Sequence, residues 1–174
     1  MFDLVDERLG PVTALVNNAA IHGPRGRVED LGVDDLREVI AVNVVGLVVC
    51  SQQAVRRMST RHGGSGGGIV NISSGAAYMG VPGVGVQYAL SKGAVNSFTI
   101  GLSQEVAGEG IRVNSVSPGP TRTDMFDPAA IPAAAASLPM GRVGEPEEIA
   151  EAVLWLLSDQ ASFVAGANIR AAGG

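Results

Sequence analysis

The 174-residue sequence has little of what builds cross-links, metal sites or a nucleic-acid surface. Its one cysteine, Cys50, excludes a disulfide framework, and its two distant histidines, His22 and His62, do not have the spacing of zinc ligands. Seventeen acidic against 12 basic residues give a formal net charge of −5, which argues against a surface for nucleic-acid phosphates. No apolar run, Val44–Cys50 included, is long enough to span a bilayer, and no signal-peptide pattern opens the sequence. We therefore expect a cytoplasmic chain without a metal, nucleic-acid or membrane partner.

Lysine is the rarest basic residue in the chain. Lys92 is the only one, and the remaining basic residues are all arginines. It follows Tyr88, one of two tyrosines, by four positions in YALSK (88–92). On a helix this spacing puts both side chains on one face. For an isolated pair, an exposed position on a helix is the simpler interpretation, so the surrounding motifs must decide what the pair does.

Strand and helix patterns alternate along the chain, which predicts a parallel α/β sheet of four strands. Hydrophobic residues make up 46% of the chain and charged residues 17%, a composition typical of a globular domain with a real core. The predicted strands are Thr13–Ala19, Ile69–Ser74, Ile111–Pro118 and 167–174, and the predicted helices are one ahead of the first strand, Asp34–Arg61, Val86–Ala107 and one that begins at Pro146. On the Asp34–Arg61 helix, the periodicity predicts that Leu36, Ile40, Val44, Leu47 and Val48 share one side.

Two glycine-rich stretches fail as phosphate-binding loops. A dinucleotide-binding turn lies between a strand and the helix that follows it, where backbone N–H groups and the helix dipole hold the pyrophosphate. GGSGGG (Gly63–Gly68) follows a helix and precedes a strand, the reverse order, and is interpreted as a flexible connector. GVPGVG (Gly80–Gly85) has the wrong spacing. The residues by themselves therefore provide no usual pyrophosphate site.

Six motifs, in order along essentially the whole chain, resemble the short-chain dehydrogenase/reductase family. Each motif alone is weak evidence for the family, whereas six motifs in the family's order are strong evidence. The family members whose motifs this sequence most resembles are sugar or polyol dehydrogenases and 3-oxoacyl reductases. The motifs are NNAA (Asn17–Ala20), VNVVG (Val42–Gly46), NISS (Asn71–Ser74), YALSK (Tyr88–Lys92), SPGPTRT (Ser117–Thr123), and GRVGEPEEIA with the terminal Gly-Gly.

The resemblance implies a fold, a reaction and a set of site residues. The fold is a Rossmann-like parallel sheet flanked by helices, in which the four strands correspond to the family's strands 4-5-6-7. The reaction is the NAD- or NADP-dependent interconversion of a secondary alcohol, such as a sugar or polyol, and a ketone. The implied catalytic residues are Asn43, Ser74, Tyr88 and Lys92, and the implied cofactor-binding residues are Asn17, Ala19, Tyr88, Lys92, Pro118, Gly119, Thr121 and Thr123.

Tyr88 and Lys92 have suitable chemistry for proton exchange with a substrate oxygen. A phenol with a pKa of about 10 is a poor base at neutral pH. A nearby ammonium favours the phenolate, so we expect Lys92 to lower the pKa of Tyr88. The resemblance implies that Ser74 orients the substrate oxygen and that Asn43 holds a water that relays protons, although Ser74 could also simply end a strand. Asn17 and Asn18 could stabilise a turn, and His22, His62, Tyr78 and Trp155 are interpreted as packing or surface residues.

The sequence departs from the family at three places. Ala20 stands where the family has glycine, and Ser74 precedes Tyr88 by 14 positions, one more than in many members. The third departure is serious, because the family's Thr-Gly-x-x-x-Gly-x-Gly turn and its first three strands have no counterpart ahead of Asn17. We therefore expect one partial domain over residues 1–174, truncated at its N-terminal side.

Two functions of different class follow. The first is the NAD(P)-dependent oxidoreductase, and the second is a catalytically silent fragment or interaction protein that does not bind dinucleotide. The residue that selects NAD or NADP in the family has no counterpart here, so the two cofactors are not distinguished. Helices 34–61 and 86–107 carry small residues that allow close packing, and we expect them to form a homo-dimer or homo-tetramer.

Overall fold

All residues from Met1 to Gly174 are described by the computed structural model of the chain. Four parallel strands form one sheet in the order β1-β2-β3-β4, which confirms the predicted α/β architecture. The strands are β1 (Ala14–Asn17), β2 (Gly67–Ile72), β3 (Ile111–Pro118) and β4 (Asn168–Ala171), and the helices are α1 (Phe2–Leu9), α2 (Val33–Ile40), α3 (Leu47–Met58), α4 (Ala76–Met79), α5 (Val86–Val106), α6 (Ile131–Ser137) and α7 (Pro146–Leu157).

The strand bounds differ from the sequence prediction mainly at β2. Gly67 and Gly68 belong to this strand rather than to a connector. A Cβ on Gly67 would collide with the backbone carbonyl of Thr13, and one on Gly68 would lie 2.9 Å from Leu157 Cδ2. Glycine is therefore needed there because β1 and α7 approach the start of β2 closely. The predicted bounds of β3 are confirmed, whereas β1 and β4 are shorter than predicted.

Helices cover both faces of the sheet and create two hydrophobic clusters. On one face, α3 and α5 contribute to a cluster around Met58, Ile69 and Val106. On the other face, α7 contributes Val153 and Leu156 to a cluster with Val70 and Val116. The central strands β2 and β3 are thus buried on both sides, as is usual for a parallel sheet, whereas the edge strands β1 and β4 are partly exposed.

Helices α2 and α3 run into each other through a π-helical turn, Ala41–Gly46. The buried side of this continuous helix carries Val39, Asn43, Leu47 and Ser51. Of the residues predicted to share one side of this helix, Leu47 is buried, whereas Leu36, Ile40, Val44 and Val48 are half-buried. Two polar residues occupy buried positions, which a pattern of apolar residues cannot detect.

The continuous helix, Val33–Met58, is also long and apolar enough to cross a bilayer by length and composition alone. It has 26 residues, its most apolar window has a mean hydropathy of 1.6, and 28% of that window is buried within the chain. Core helices of globular proteins have the same properties, so length and composition carry little weight. The uninterrupted apolar runs considered above are shorter because Asn43 and Ser51 divide this helix.

Candidate functional site

A row of polar residues crosses the sheet beneath the candidate site. Asn17, Asn71, Ser115 and Asn168 are paired in register across β1 to β4. Asn17 Nδ2 donates to Asn71 Oδ1 at 2.8 Å, and Asn71 Nδ2 donates to Thr99 Oγ1 of α5 at 2.9 Å. Because these bonds join β1 and β2 to α5, they help to fix the position of that helix along the face of the sheet.

The turn after β2 is held against the end of β3. Ser73 N donates to Val116 O at 2.8 Å, and Gly75 N donates to Pro118 O at 2.9 Å. Ser73 Oγ also donates to the backbone carbonyl of Lys92 at 3.1 Å. The residues after β2 and the first turns of α5 therefore form one hydrogen-bonded unit.

Tyr88 and Lys92 lie in the first two turns of α5, with their side chains together. Lys92 Nζ is 5.7 Å from the centroid of the Tyr88 ring, which confirms the predicted shared face. Only 3% of Lys92 is exposed, and its Nζ donates to the carbonyl of Ile72 at 2.7 Å. The interpretation as an exposed helix pair is therefore wrong for this lysine.

Burial controls the protonation of both residues. It lowers the pKa of Lys92 from 10.5 to about 8. It raises the pKa of Tyr88 above 10.0, while a hydrogen bond with Ser74 acts in the opposite direction. The expected lowering of the pKa of Tyr88 was thus wrong for this structure, because burial of the phenol is the largest cause and raises its pKa.

Ser74 combines the two roles considered for it. Its Oγ accepts a hydrogen bond from Ala76 N at 3.1 Å, in the turn that leads into the short helix α4. Its side chain also acts on the phenol of Tyr88, whose pKa it tends to lower. Ser74 therefore lies in the turn after β2 and beside the phenol at the same time.

Asn43 connects three parts of the chain from the π-helical turn. Its Oδ1 accepts from Ile21 N at 2.8 Å, and its Nδ2 donates to Ile21 O at 2.9 Å. The same Nδ2 donates to Ser91 Oγ at 3.0 Å, beside Lys92 on α5. Asn43 thus ties the loop after β1 to the helix that carries the tyrosine and the lysine, and π-helical turns are frequent at functional sites.

The implied cofactor-binding residues are divided between this cluster and its surroundings. Asn17 Nδ2 donates to both Ser51 and Asn71, so its amide nitrogen is already occupied. Ala19 is exposed in the loop after β1. Pro118 ends β3 and contacts Gly75 by the backbone bond already described, and Gly119 N donates to Ala171 O at 3.0 Å. Thr121 Oγ1 donates to Gly119 O at 3.0 Å, whereas Thr123 is exposed.

The donor groups fit the nicotinamide-ribose end of a dinucleotide but not its pyrophosphate. The ammonium of Lys92 has three N–H donors, and the bond to Ile72 leaves two for adjacent hydroxyls. Ser117 Oγ is buried at the end of β3 and has no hydrogen-bond partner. The Gly63–Gly68 loop leads into the amino end of β2, away from Lys92. Residues 1–174 therefore present donors that fit a ribose, without a glycine-rich turn for the phosphates.

Three polar residues of the site were not identified from the sequence. Ser91 bonds to Asn43, and the buried Gln87 bonds to the loop after β1. His22, interpreted as a packing or surface residue, stacks on Tyr88 with ring centroids 4.7 Å apart and planes 19° apart. Gln87 and Ser91 flank Tyr88 in the sequence, and that proximity is the one signal that pointed to them.

Comparison with known proteins gives a consistent result. A family model of short-chain dehydrogenases, described as enoyl-(acyl carrier protein) reductase, matches residues 1–174. The chain is 47% identical over 178 residues to an uncharacterized oxidoreductase of Escherichia coli, YgfF, and covers 72% of it. It is 42% identical over 171 residues to a 3alpha-hydroxysteroid dehydrogenase of Mediterraneibacter gnavus, of which it covers 66%. It is 35% identical over 179 residues to a short-chain type dehydrogenase/reductase of Picea abies, of which it covers 65%.

These matches take in 100%, 95% and 100% of the chain, which spans about two thirds of the length of these relatives. The parallel sheet, the six ordered motifs and the matches agree on one assignment. The chain belongs to the short-chain dehydrogenase/reductase family of oxidoreductases.

Proposed function

We propose that this chain carries the proton-transfer centre of an NAD(P)-dependent oxidoreductase that interconverts a secondary alcohol and a ketone. The observation that carries the proposal is the arrangement around Tyr88. Its phenol lies near enough to Ser74 for that side chain to act on the pKa of the phenol, and its ring lies 5.7 Å from the ammonium of the chain's only lysine. A hydroxyl, a phenol and an amine at the carboxyl ends of parallel strands lie where ligands bind in open α/β sheets.

Each residue has a separate role in the proposal. Tyr88 exchanges a proton with the substrate oxygen, and Ser74 donates a hydrogen bond that orients this oxygen. Lys92 holds ribose hydroxyls and, while protonated below about pH 8, favours the charged form of the phenol, and Asn43 positions Ser91 and the loop that contains Ile21. The nicotinamide, when bound, supplies or accepts the hydride.

The raised pKa of Tyr88 favours ketone reduction over alcohol oxidation at neutral pH. At neutral pH the phenol is protonated, so it can donate a proton to a ketone oxygen without prior ionisation. Oxidation of an alcohol needs the phenolate and is therefore favoured at alkaline pH. We propose a secondary alcohol or ketone as the substrate, with sugars and polyols the first compounds to test.

Turnover by a Tyr88→Phe variant tests the proposal. The assay follows the absorbance of the reduced nicotinamide with a panel of sugars, polyols and small cyclic alcohols, at millimolar cofactor because residues 1–174 contain no pyrophosphate-binding turn. We expect Tyr88→Phe to lower kcat by roughly 10²–10⁴-fold, the usual contribution of a general acid or base. Tyr78→Phe, at the exposed tyrosine, is the matched control and should keep wild-type turnover.

A catalytically silent fragment or interaction protein is the second candidate function. It is favoured by one observation, the lack of a glycine-rich phosphate turn within residues 1–174. Wild-type chain without turnover on any panel compound at millimolar NAD(H) and NADP(H) would select this candidate. Turnover that is lost in Tyr88→Phe would eliminate it.

We also propose that the chain forms a homo-dimer or homo-tetramer in the cytoplasm. The proposal rests on exposed apolar side chains on the two helices expected to associate. Val45 and Val49 lie on the helix that contains α3, and Leu90 and Ile100 lie on α5, all of them between 48% and 59% exposed. Contact between copies would remove this apolar surface from water.

A further inference from the structure

We propose that His22 is a positioning residue, which fixes the phenol ring of Tyr88 and keeps water from one of its faces. The two rings are 4.7 Å apart and nearly parallel, at 19°. Stacked rings at this distance are in direct contact and restrict each other's orientation. The inference rests on the proposed function only in treating Tyr88 as the residue that transfers the proton.

The loop that carries His22 is fastened on both sides of this residue. Ile21 is held by Asn43 through both its N–H, at 2.8 Å, and its carbonyl, at 2.9 Å. Gln87 Nε2 donates to Pro24 O at 2.7 Å and, more weakly, to His22 O at 3.4 Å. Gln87 precedes Tyr88 on α5, so the loop is fastened to the same helix turn that presents the phenol.

One glycine, Gly85, leaves the space that the imidazole needs, and another, Gly23, allows the backbone after His22 to pass close to α2. A Cβ on Gly85 would lie 2.5 Å from His22 Cε1, so no other residue fits there without displacing the ring. Gly23 has a φ of +73°, in the left-handed region, and a Cβ there would lie 2.7 Å from Val39 Cγ2. The backbone around His22 is therefore shaped to place its ring on Tyr88.

The imidazole acts on the phenol as a neutral ring. Burial lowers the pKa of His22 below its usual 6.5, and the positive charge of Arg25 lowers it further, while a hydrogen bond with the Gly23 backbone opposes them. The Tyr88 ring has this uncharged histidine from the loop stacked on it and Lys92 from its own helix beside it. A neutral ring on one face strengthens the burial that raises the pKa of the phenol.

The two tyrosines of the chain allow a direct test that does not depend on activity. In a Tyr78→Phe background, the ultraviolet absorbance of tyrosinate reports the titration of Tyr88 alone. We expect His22→Ala to lower the midpoint by about half a pH unit or more, because water reaches the exposed face. We expect His22→Phe, which keeps a flat ring, to stay within about 0.2 pH unit of the parent.

A second measurement works at neutral pH. In the parent, NMR should show that the Tyr88 ring flips slowly. His22→Ala should increase the flip rate by about tenfold or more, because the ring loses its stacking contact. His62→Ala, at the other and exposed histidine, is the matched control and should change neither quantity. If His22→Ala does not fold, His22→Leu replaces it, because leucine fills the space without stacking.

The outcomes separate this inference from the proposed function. Unchanged midpoint and flip rate in His22→Ala, or equal changes in His22→Ala and His22→Phe, would overturn the role of His22. If the expected shifts occur while Tyr88→Phe keeps full turnover, the positioning role holds and the proposed function fails. In the active chain, His22→Ala should lower kcat and move its pH profile by the same amount as the spectroscopic midpoint, with the cofactor KM unchanged.

Discussion

At the scale of single residues, Lys92 shows that burial of a charged functional group lowers the stability of the fold. Its pKa in the folded chain is about 8, below the ordinary 10.5. Below pH 8 the lysine is therefore charged in both states, and the buried charge lowers the stability of the folded state relative to the unfolded one. The cost is about 3 kcal/mol. Between pH 8 and 10.5 the unfolded chain binds more protons, so stability should rise with pH until the cost disappears above 10.5.

This sign leads to a prediction for Lys92→Met. At pH 7 the variant should be more stable than the wild type by about 1–2 kcal/mol, since it removes the buried charge but leaves the Ile72 carbonyl without its donor. The gain should shrink as the pH rises from 8 to 10.5, which thermal unfolding followed by circular dichroism can check. Arg37→Met, at an exposed position, controls for the loss of one positive charge. A stability difference independent of pH would contradict the account.

At the scale of elements, the π-helical turn of Ala41–Gly46 holds the site together through Asn43. Asn43→Ala removes three hydrogen bonds, to the Ile21 N–H, the Ile21 carbonyl and Ser91. We expect the free energy of unfolding in urea to fall by about 2–4 kcal/mol, because buried polar groups lose their partners. Asn18→Ala, at an exposed position in the preceding motif, should change it by less than about 0.5 kcal/mol. A similarly small change in Asn43→Ala would show that the turn is held by other contacts.

Element boundaries were predictable where the pattern is local. The strand β3 is a run of mostly buried residues between Gly110 and Gly119. The start of α7 is marked by Pro146, which two acidic residues follow directly. The start of β2 was missed because Gly67 and Gly68 are strand residues only through the closeness of β1 and α7. The buried side of the α2–α3 helix was missed because Asn43 and Ser51 find partners in distant segments.

At the scale of the whole molecule, self-association is the first expectation to measure. Light scattering at micromolar concentration should give a mass of two or four chains. Val49→Glu places a charge on the exposed apolar surface of α3 and should shift the chain toward monomer. Arg37→Glu, on the same continuous helix but among exposed polar residues, is the control for a new acidic side chain. A monomeric wild type would rule out the proposed assembly.

Dinucleotide binding is the second expectation at this scale. Because residues 1–174 offer donors for a ribose but no glycine-rich turn for a pyrophosphate, calorimetry should show a Kd for NAD(H) and NADP(H) of about 1 mM or weaker. Lys92→Met should weaken even this binding, because it removes the two free N–H donors. Micromolar binding by the purified 174-residue chain would mean that other residues hold the phosphates.

The amino-acid sequence by itself determined the alternation of strands and helices, the family, and the placing of Tyr88 and Lys92 on one helix face. These features depend on local periodicity and on spacing within one element, which a chain displays before it folds. Only the tertiary structure decided which way the pKa values of the two residues move, because burial results from packing of the whole domain. It also decided that His22 covers the tyrosine and that Asn43 fastens the loop beside it. Those contacts join segments far apart in the chain, and a local sequence pattern does not indicate which distant side chains will come into contact.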